Sequence, residues 1–126
     1  MAYARSLYER FRVMSSHRSE LVLEYRVYLA AFLSQQGNLD EADVHFDAML
    51  ADEADLTPLM QRRLDGFYGE HLAARGRSAE AETRLVRALT GWTDHNPHLW
   101  PTDRARLELV RLYDESGRSD EAAGWR

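Results

Sequence analysis

Histidines and carboxylates are the residues of this sequence that could hold a metal ion or move a proton. The five histidines are His17, His45, His71, His95 and His98. No two of them lie four residues apart, the helical spacing of a zinc site. His95 and His98 are three apart but have only Asp94 as a nearby carboxylate, whereas a metal needs three or four ligands. We therefore expect no metal and no other cofactor, and we expect His45 and His71 to lie on helix surfaces.

The sequence also lacks the motifs of other kinds of catalytic site. The chain has no cysteine, which excludes disulfides, thiolate metal sites and a cysteine nucleophile. The acidic turn at 52–55 lacks the glycine and the alternating ligands of a calcium loop. Asp65-Gly66-Phe67 has the wrong order for a metal-binding Asp-Phe-Gly motif, and no serine lies in a strand-turn-helix setting. The sequence predicts a non-catalytic protein.

Composition and charge narrow the class of partner. The chain has 126 residues, a hydrophobic content of 44% and a formal net charge of -5. An acidic chain without a basic face is not expected to bind nucleic acid or an anionic membrane. The N-terminus does not resemble a signal peptide, and no apolar run approaches the roughly 18 residues that cross a bilayer. We expect one cytoplasmic domain over 1–126.

A glycine followed by Glu-Ala recurs three times and organises the chain. The three copies are 37–42, 76–81 and 117–122, with their glycines 39 and 41 residues apart. A period of this length indicates stacked supersecondary units. We expect an N-terminal helix and turn over 1–20, repeats over 21–55 and 56–97, and a shortened repeat over 98–126.

Apolar residues three and four apart predict a chain of helices connected by short turns. The predicted helices cover about residues 3–14, 16–36, 38–50, 57–75, 78–92, 101–116 and 119–126. Asn38, Thr57 and Ser78 are expected to cap helices through their side chains, and Glu41 would complete a capping box with Asn38.

The small and turn positions of the three copies resemble the tetratricopeptide repeat. These positions are Ala30, Gly37, Ala42, Gly69, Gly76, Ala81, Gly117 and Ala122. In that family, small residues and the turn glycine let two antiparallel helices approach closely. The resemblance covers about 21–126 and implies an all-α, tetratricopeptide-like superhelix, or solenoid, of about seven antiparallel helices. The period is longer than the usual 34, and Val110 stands at a small position.

The last copy also resembles the repeat-rich C-terminal tails of bacterial serine/threonine protein kinases and related signalling proteins. This second resemblance covers about twenty residues, 106–126, and no kinase motif accompanies it.

The family resemblance implies a protein-interaction scaffold that holds a peptide or partner helix on a concave face lined by the first helix of each pair. The matching positions are Glu24, Val27, Ala31 and Ser34; Arg63, Gly66, Glu70 and Ala73; Arg104, Leu107, Arg111 and Asp114. Members that dock on chaperone tails have lysine and asparagine where this chain has Val27 and Ala31, so that partner is not expected.

The candidate partner-binding residues are Arg63, Glu70, Arg104, Leu107 and Arg111. Two interpretations of the arginines stay open. They bind an acidic or phosphorylated segment of a partner, or they pair with Glu70, Glu108 and Asp114 on a solvated face. The alternative function is a structural or self-association segment of a larger signalling protein, with copies associating through the C-terminal end.

Overall fold

Every regular element is helical in the part of the chain that the computed structural model describes, residues 20–92 and 102–126. The helices are α1 (Glu20–Gln35), α2 (Leu39–Ala51), a short 3-10 helix (Glu53–Asp55), α3 (Pro58–Ala74), α4 (Ser78–Trp92), α5 (Thr102–Glu115) and α6 (Ser119–Trp125). The prediction of an all-α fold is confirmed. The predicted helix over 3–14 and the loop that carries His95 and His98 lie outside the described residues.

The chain divides into two compact units, the first ending at Met60 and the second beginning at Gln61. In the first unit α1 packs against α2, and in the second α4 packs against α5 and α5 against α6. None of the helices in 20–92 and 102–126 is long and apolar enough to cross a membrane.

The three repeated glycines end their helices with the same turn. Gly37, Gly76 and Gly117 have φ angles of 86°, 80° and 75°, in the left-handed region that glycine adopts without steric cost. In the first turn the N–H of Gly37 donates to Ser34 O at 3.1 Å and that of Asn38 donates to Leu33 O at 2.9 Å. The same pair of bonds recurs at 76–77 and 117–118. This Schellman arrangement reverses the chain after each first helix.

The residue after each glycine begins the next helix through its backbone. The carbonyls of Asn38, Arg77 and Arg118 accept from the N–H groups of Ala42, Ala81 and Ala122 at 3.0–3.1 Å. Asn38 makes no side-chain capping bond. Ser78 is the first residue of α4 and not its cap. The two predicted side-chain caps are therefore wrong, because the turn bonds already fix this backbone.

The cap predicted at Thr57 is present. Thr57 Oγ1 accepts from the N–H of Met60 at 3.2 Å, and Pro58 takes the first position of α3, where its missing N–H costs nothing.

Small residues lie where helices touch. Ala30, Ala42, Ala81 and Ala122 are 0% exposed. On α3, a β-carbon added at Gly69 would lie 2.7 Å from Leu85 Cγ on α4. The four alanines are therefore fully buried, and Gly69 lies against α4.

Larger apolar side chains fill the rest of each core. In the first unit these are chiefly Leu29, Leu33, Phe46 and Met49, and in the second Leu64, Phe67, Leu72, Leu85, Leu89 and Leu109. On α3, Leu59 is 41% exposed, whereas Met60 is buried. Met60, Leu64 and Phe67 share the buried face of this helix.

Candidate functional site

The predicted partner-binding residues lie on α3 and α5, both of which contribute to the second unit. Glu70 of α3 and Arg104 of α5 are bound to each other: Arg104 NH2 donates to Glu70 Oε1 at 2.7 Å, and Arg104 Nε donates to Glu70 Oε2 at 3.3 Å. This hydrogen bonding raises the pKa of Arg104 above its usual range. A two-point bond of this kind fixes the guanidinium more firmly than a single contact would.

Arg111 lies two turns further along α5 and is paired within its own helix. It donates to Glu108 through Nε at 3.1 Å and also through NH2, and to Glu115 through NH1 at 2.5 Å. The hydrogen bonding that Arg111 donates to Glu108 is the main cause that raises the pKa of Arg111. Arg111 therefore already has two carboxylate partners.

Leu107 lies between these two arginines on α5. Its side chain is 66% exposed. Arg104 precedes it by three residues and Arg111 follows it by four, which places all three on one helical face. An accessible apolar side chain therefore lies between two arginines that are each paired with carboxylates of the chain.

The remaining predicted positions differ in accessibility. Arg63 is half-buried and already interacts with other groups. Val27, Ala31 and Gly66 are buried, so they do not offer a surface to a partner. Asp114 is exposed and accepts from Arg126 NH2 at 2.5 Å. Of the three carboxylates named as partners on a solvated face, Glu70 pairs with Arg104 and Glu108 with Arg111, whereas Asp114 pairs with Arg126.

Two clusters of charged residues that connect neighbouring elements were not predicted from the sequence. In one, the buried carboxylate of Asp65 accepts from Arg84 NH1 at 3.0 Å and from Gln61 Nε2 at 3.2 Å. Arg87 Nε lies 3.6 Å from its other oxygen. Burial raises the pKa of Asp65, and the charges of Arg87 and Arg84 act in the opposite direction. The sequence signal that could have indicated this cluster is that Asp65 directly follows Leu64, a buried apolar residue of α3.

The second cluster joins α4 to the turn before α6. Arg118 donates to Glu82 through NH1 at 2.7 Å and through NH2 at 3.0 Å, and the hydroxyl of Tyr113 donates to Glu82 at 3.1 Å. The Arg118 guanidinium also lies 4.6 Å from the centre of the Tyr113 ring. Hydrogen bonding from Arg118 lowers the pKa of Glu82, while burial raises that of Tyr113.

His71 is not on the helix surface, and that prediction is wrong. Its side chain is 0% exposed, and its ring stacks on that of Tyr68 at 6.3 Å between centroids. His71 follows Phe67 by four residues and Tyr68 by three, so it shares their buried face. His45 is half-buried. Residues 20–92 and 102–126 contain no group of three or more metal-ligating side chains.

Comparison with known proteins identifies the repeats. The family model described as tetratricopeptide repeat matches residues 23–48, 63–87 and 104–126, together more than half of the chain. No curated protein and no solved structure gives a significant match. The comparisons contain nothing that bears on the resemblance to kinase tails, which stays a prediction.

Proposed function

We propose that this chain, which belongs to the tetratricopeptide repeat family, is a non-catalytic scaffold that binds a peptide or partner helix on the exposed face of α5. Repeats of this family generally mediate protein–protein interaction. Leu107 is the observation that carries the proposal, because a leucine that is 66% exposed on a helix of the second unit has apolar surface to give to a partner.

Arg104 and Arg111 would orient the partner and contribute little net charge. Each already hydrogen-bonds carboxylates of its own chain. An acidic group of a partner would therefore have to displace Glu70, Glu108 or Glu115, which costs most of what it would gain. This favours a partner that packs an apolar side chain on Leu107 and carries charges of both signs around it.

The test is a binding measurement on two matched variants. Leu107 is 66% exposed and Val44, on α2 in the first unit, is 63% exposed. Both can be changed to aspartate without burying a charge. Peptides selected by the parent protein from a random displayed library serve as the probe.

We expect Leu107→Asp to weaken binding by about tenfold or more, since an anchor residue is worth about 2 kcal/mol or more, and Val44→Asp to leave it unchanged. Equal losses in the two variants, or none in either, would move the site off α5. If no peptide is selected and the protein dimerises with rising concentration, the self-association alternative is favoured.

A further inference from the structure

Arg87 on α4 differs from Arg77 and Arg118, two other arginines of the second unit, in how it contacts a carboxylate. Arg77 donates to both oxygens of Glu80 at 2.7–2.8 Å, and Arg118 is bonded to two glutamates. The Arg87 side chain is 49% exposed, and its Nε lies 3.6 Å from Asp65 Oδ2, too far for a hydrogen bond. Within residues 20–92 and 102–126, Asp65 is the one carboxylate that pairs with Arg87.

Both Arg84 and Arg87 contact the Asp65 carboxylate, and the contact of Arg84 is the shorter one. Arg84 donates to Asp65 Oδ1 at 3.0 Å, and its side chain is only 18% exposed. Asp65 itself is 3% exposed. One buried carboxylate thus faces two guanidinium groups, of which Arg84 makes the hydrogen bond and Arg87 only the longer ion pair. Arg87 is the more accessible of the two.

The neighbours of Arg87 on its own helix, α4, do not offer it a second carboxylate. The positions three and four residues away are Thr83, Arg84, Thr90 and Gly91, so none of the residues that share its helical face is acidic. A guanidinium has five N–H donors in a planar fork. The ion pair with Asp65 holds the Nε side of Arg87 in place and leaves the remaining donors for a second oxyanion.

We propose that Arg87, positioned by the buried Asp65, is a binding site for an oxyanion of a partner protein, a carboxylate or a phosphate held by two parallel hydrogen bonds. The site lies on α4 and does not depend on whether α5 binds a peptide. It differs from Arg104 and Arg111 of α5, which hydrogen-bond carboxylates of their own chain.

The experiment follows the side-chain Nε–Hε signals of arginine in the full chain by NMR during separate titrations with inorganic phosphate and with acetate. Arg87→Gln assigns the Arg87 signal. Arg77 is the matched control, because its side chain is 52% exposed but bonded to Glu80. We expect a saturable shift of the Arg87 signal and none of the Arg77 signal. A shift with phosphate alone identifies a phosphate as the ligand, and a shift with acetate alone a carboxylate.

Equal shifts of both arginines, or no shift of Arg87 with either anion, would overturn the proposal. Arg87→Lys tests the two-point bond, since lysine keeps the charge and loses the fork. We expect this variant to bind the same anion about tenfold more weakly, as the loss of one charge-assisted hydrogen bond implies. Unchanged affinity would show that charge alone is recognised and would overturn the bidentate site.

Discussion

Gly69 allows α3 and α4 to approach each other closely at one point in the second unit. A methyl group at this position would come within 2.7 Å of Leu85 Cγ and 2.8 Å of Leu85 Cδ2. Leu85 is 0% exposed and so has little room to move away. Gly66, one turn earlier on α3, has only Ala88 Cβ nearby, at 3.9 Å. The two glycines share a helix but not a packing role.

We expect Gly69→Ala to destabilise the protein by about 1 to 3 kcal/mol through overpacking. Gly66→Ala should be neutral or stabilise it by up to about 1 kcal/mol, because alanine loses less backbone entropy in a helix. Urea denaturation of the two variants measures the difference. Equal stabilities would contradict the contact between Gly69 and Leu85.

At the scale of elements, two carboxylates that join neighbouring elements respond to pH in opposite directions. Burial raises the pKa of Asp65, which joins α3 to α4, above its ordinary value of 3.8. Its contribution to stability is therefore full below pH 3.8 and is lost as the pH rises through the raised pKa. Hydrogen bonding from Arg118 lowers the pKa of Glu82 below 4.5. The contribution of Glu82 is full above pH 4.5 and is lost as the pH falls through the lowered pKa.

This predicts opposite slopes for two isosteric variants. As the pH rises from 3 to 7, the unfolding free energy of the parent should fall relative to Asp65→Asn and rise relative to Glu82→Gln. Comparing each variant with the parent at every pH cancels the other carboxylates, which titrate in all three proteins. Denaturant unfolding at several pH values measures both differences, and parallel slopes would contradict the opposite environments of the two groups.

The turns between helices could be predicted from the sequence because their determinants are local. Gly37, Gly76 and Gly117 each have the positive φ that glycine favours, and helices α1, α3 and α5 end just before them. The side-chain caps could not be predicted at Asn38 and Ser78, since the backbone bonds of the turn set where the next helix starts. The choice between cap and first position depends on three-dimensional geometry that residue type does not specify.

At the scale of the whole molecule, the family could be predicted but the pairing of its charges could not. Ala42, Ala81 and Ala122 each lie five residues after a turn glycine, and such periodicity is visible in one sequence. The pair between Glu70 and Arg104 joins residues 34 apart in the chain. Arg87 and Arg104 carry the same side chain, and only their surroundings decide which one is neutralised.

The central claim is that a protein-binding surface lies on α5, and the most direct test maps that surface on the parent protein. Backbone amide signals are recorded by NMR while the tightest-binding peptide from the displayed library is added. We expect the largest shifts within Thr102–Glu115, centred on Leu107, and small shifts around Val44 in Leu39–Ala51. Shifts centred on α2, or a folded protein whose signals do not move with any selected peptide, would contradict the claim.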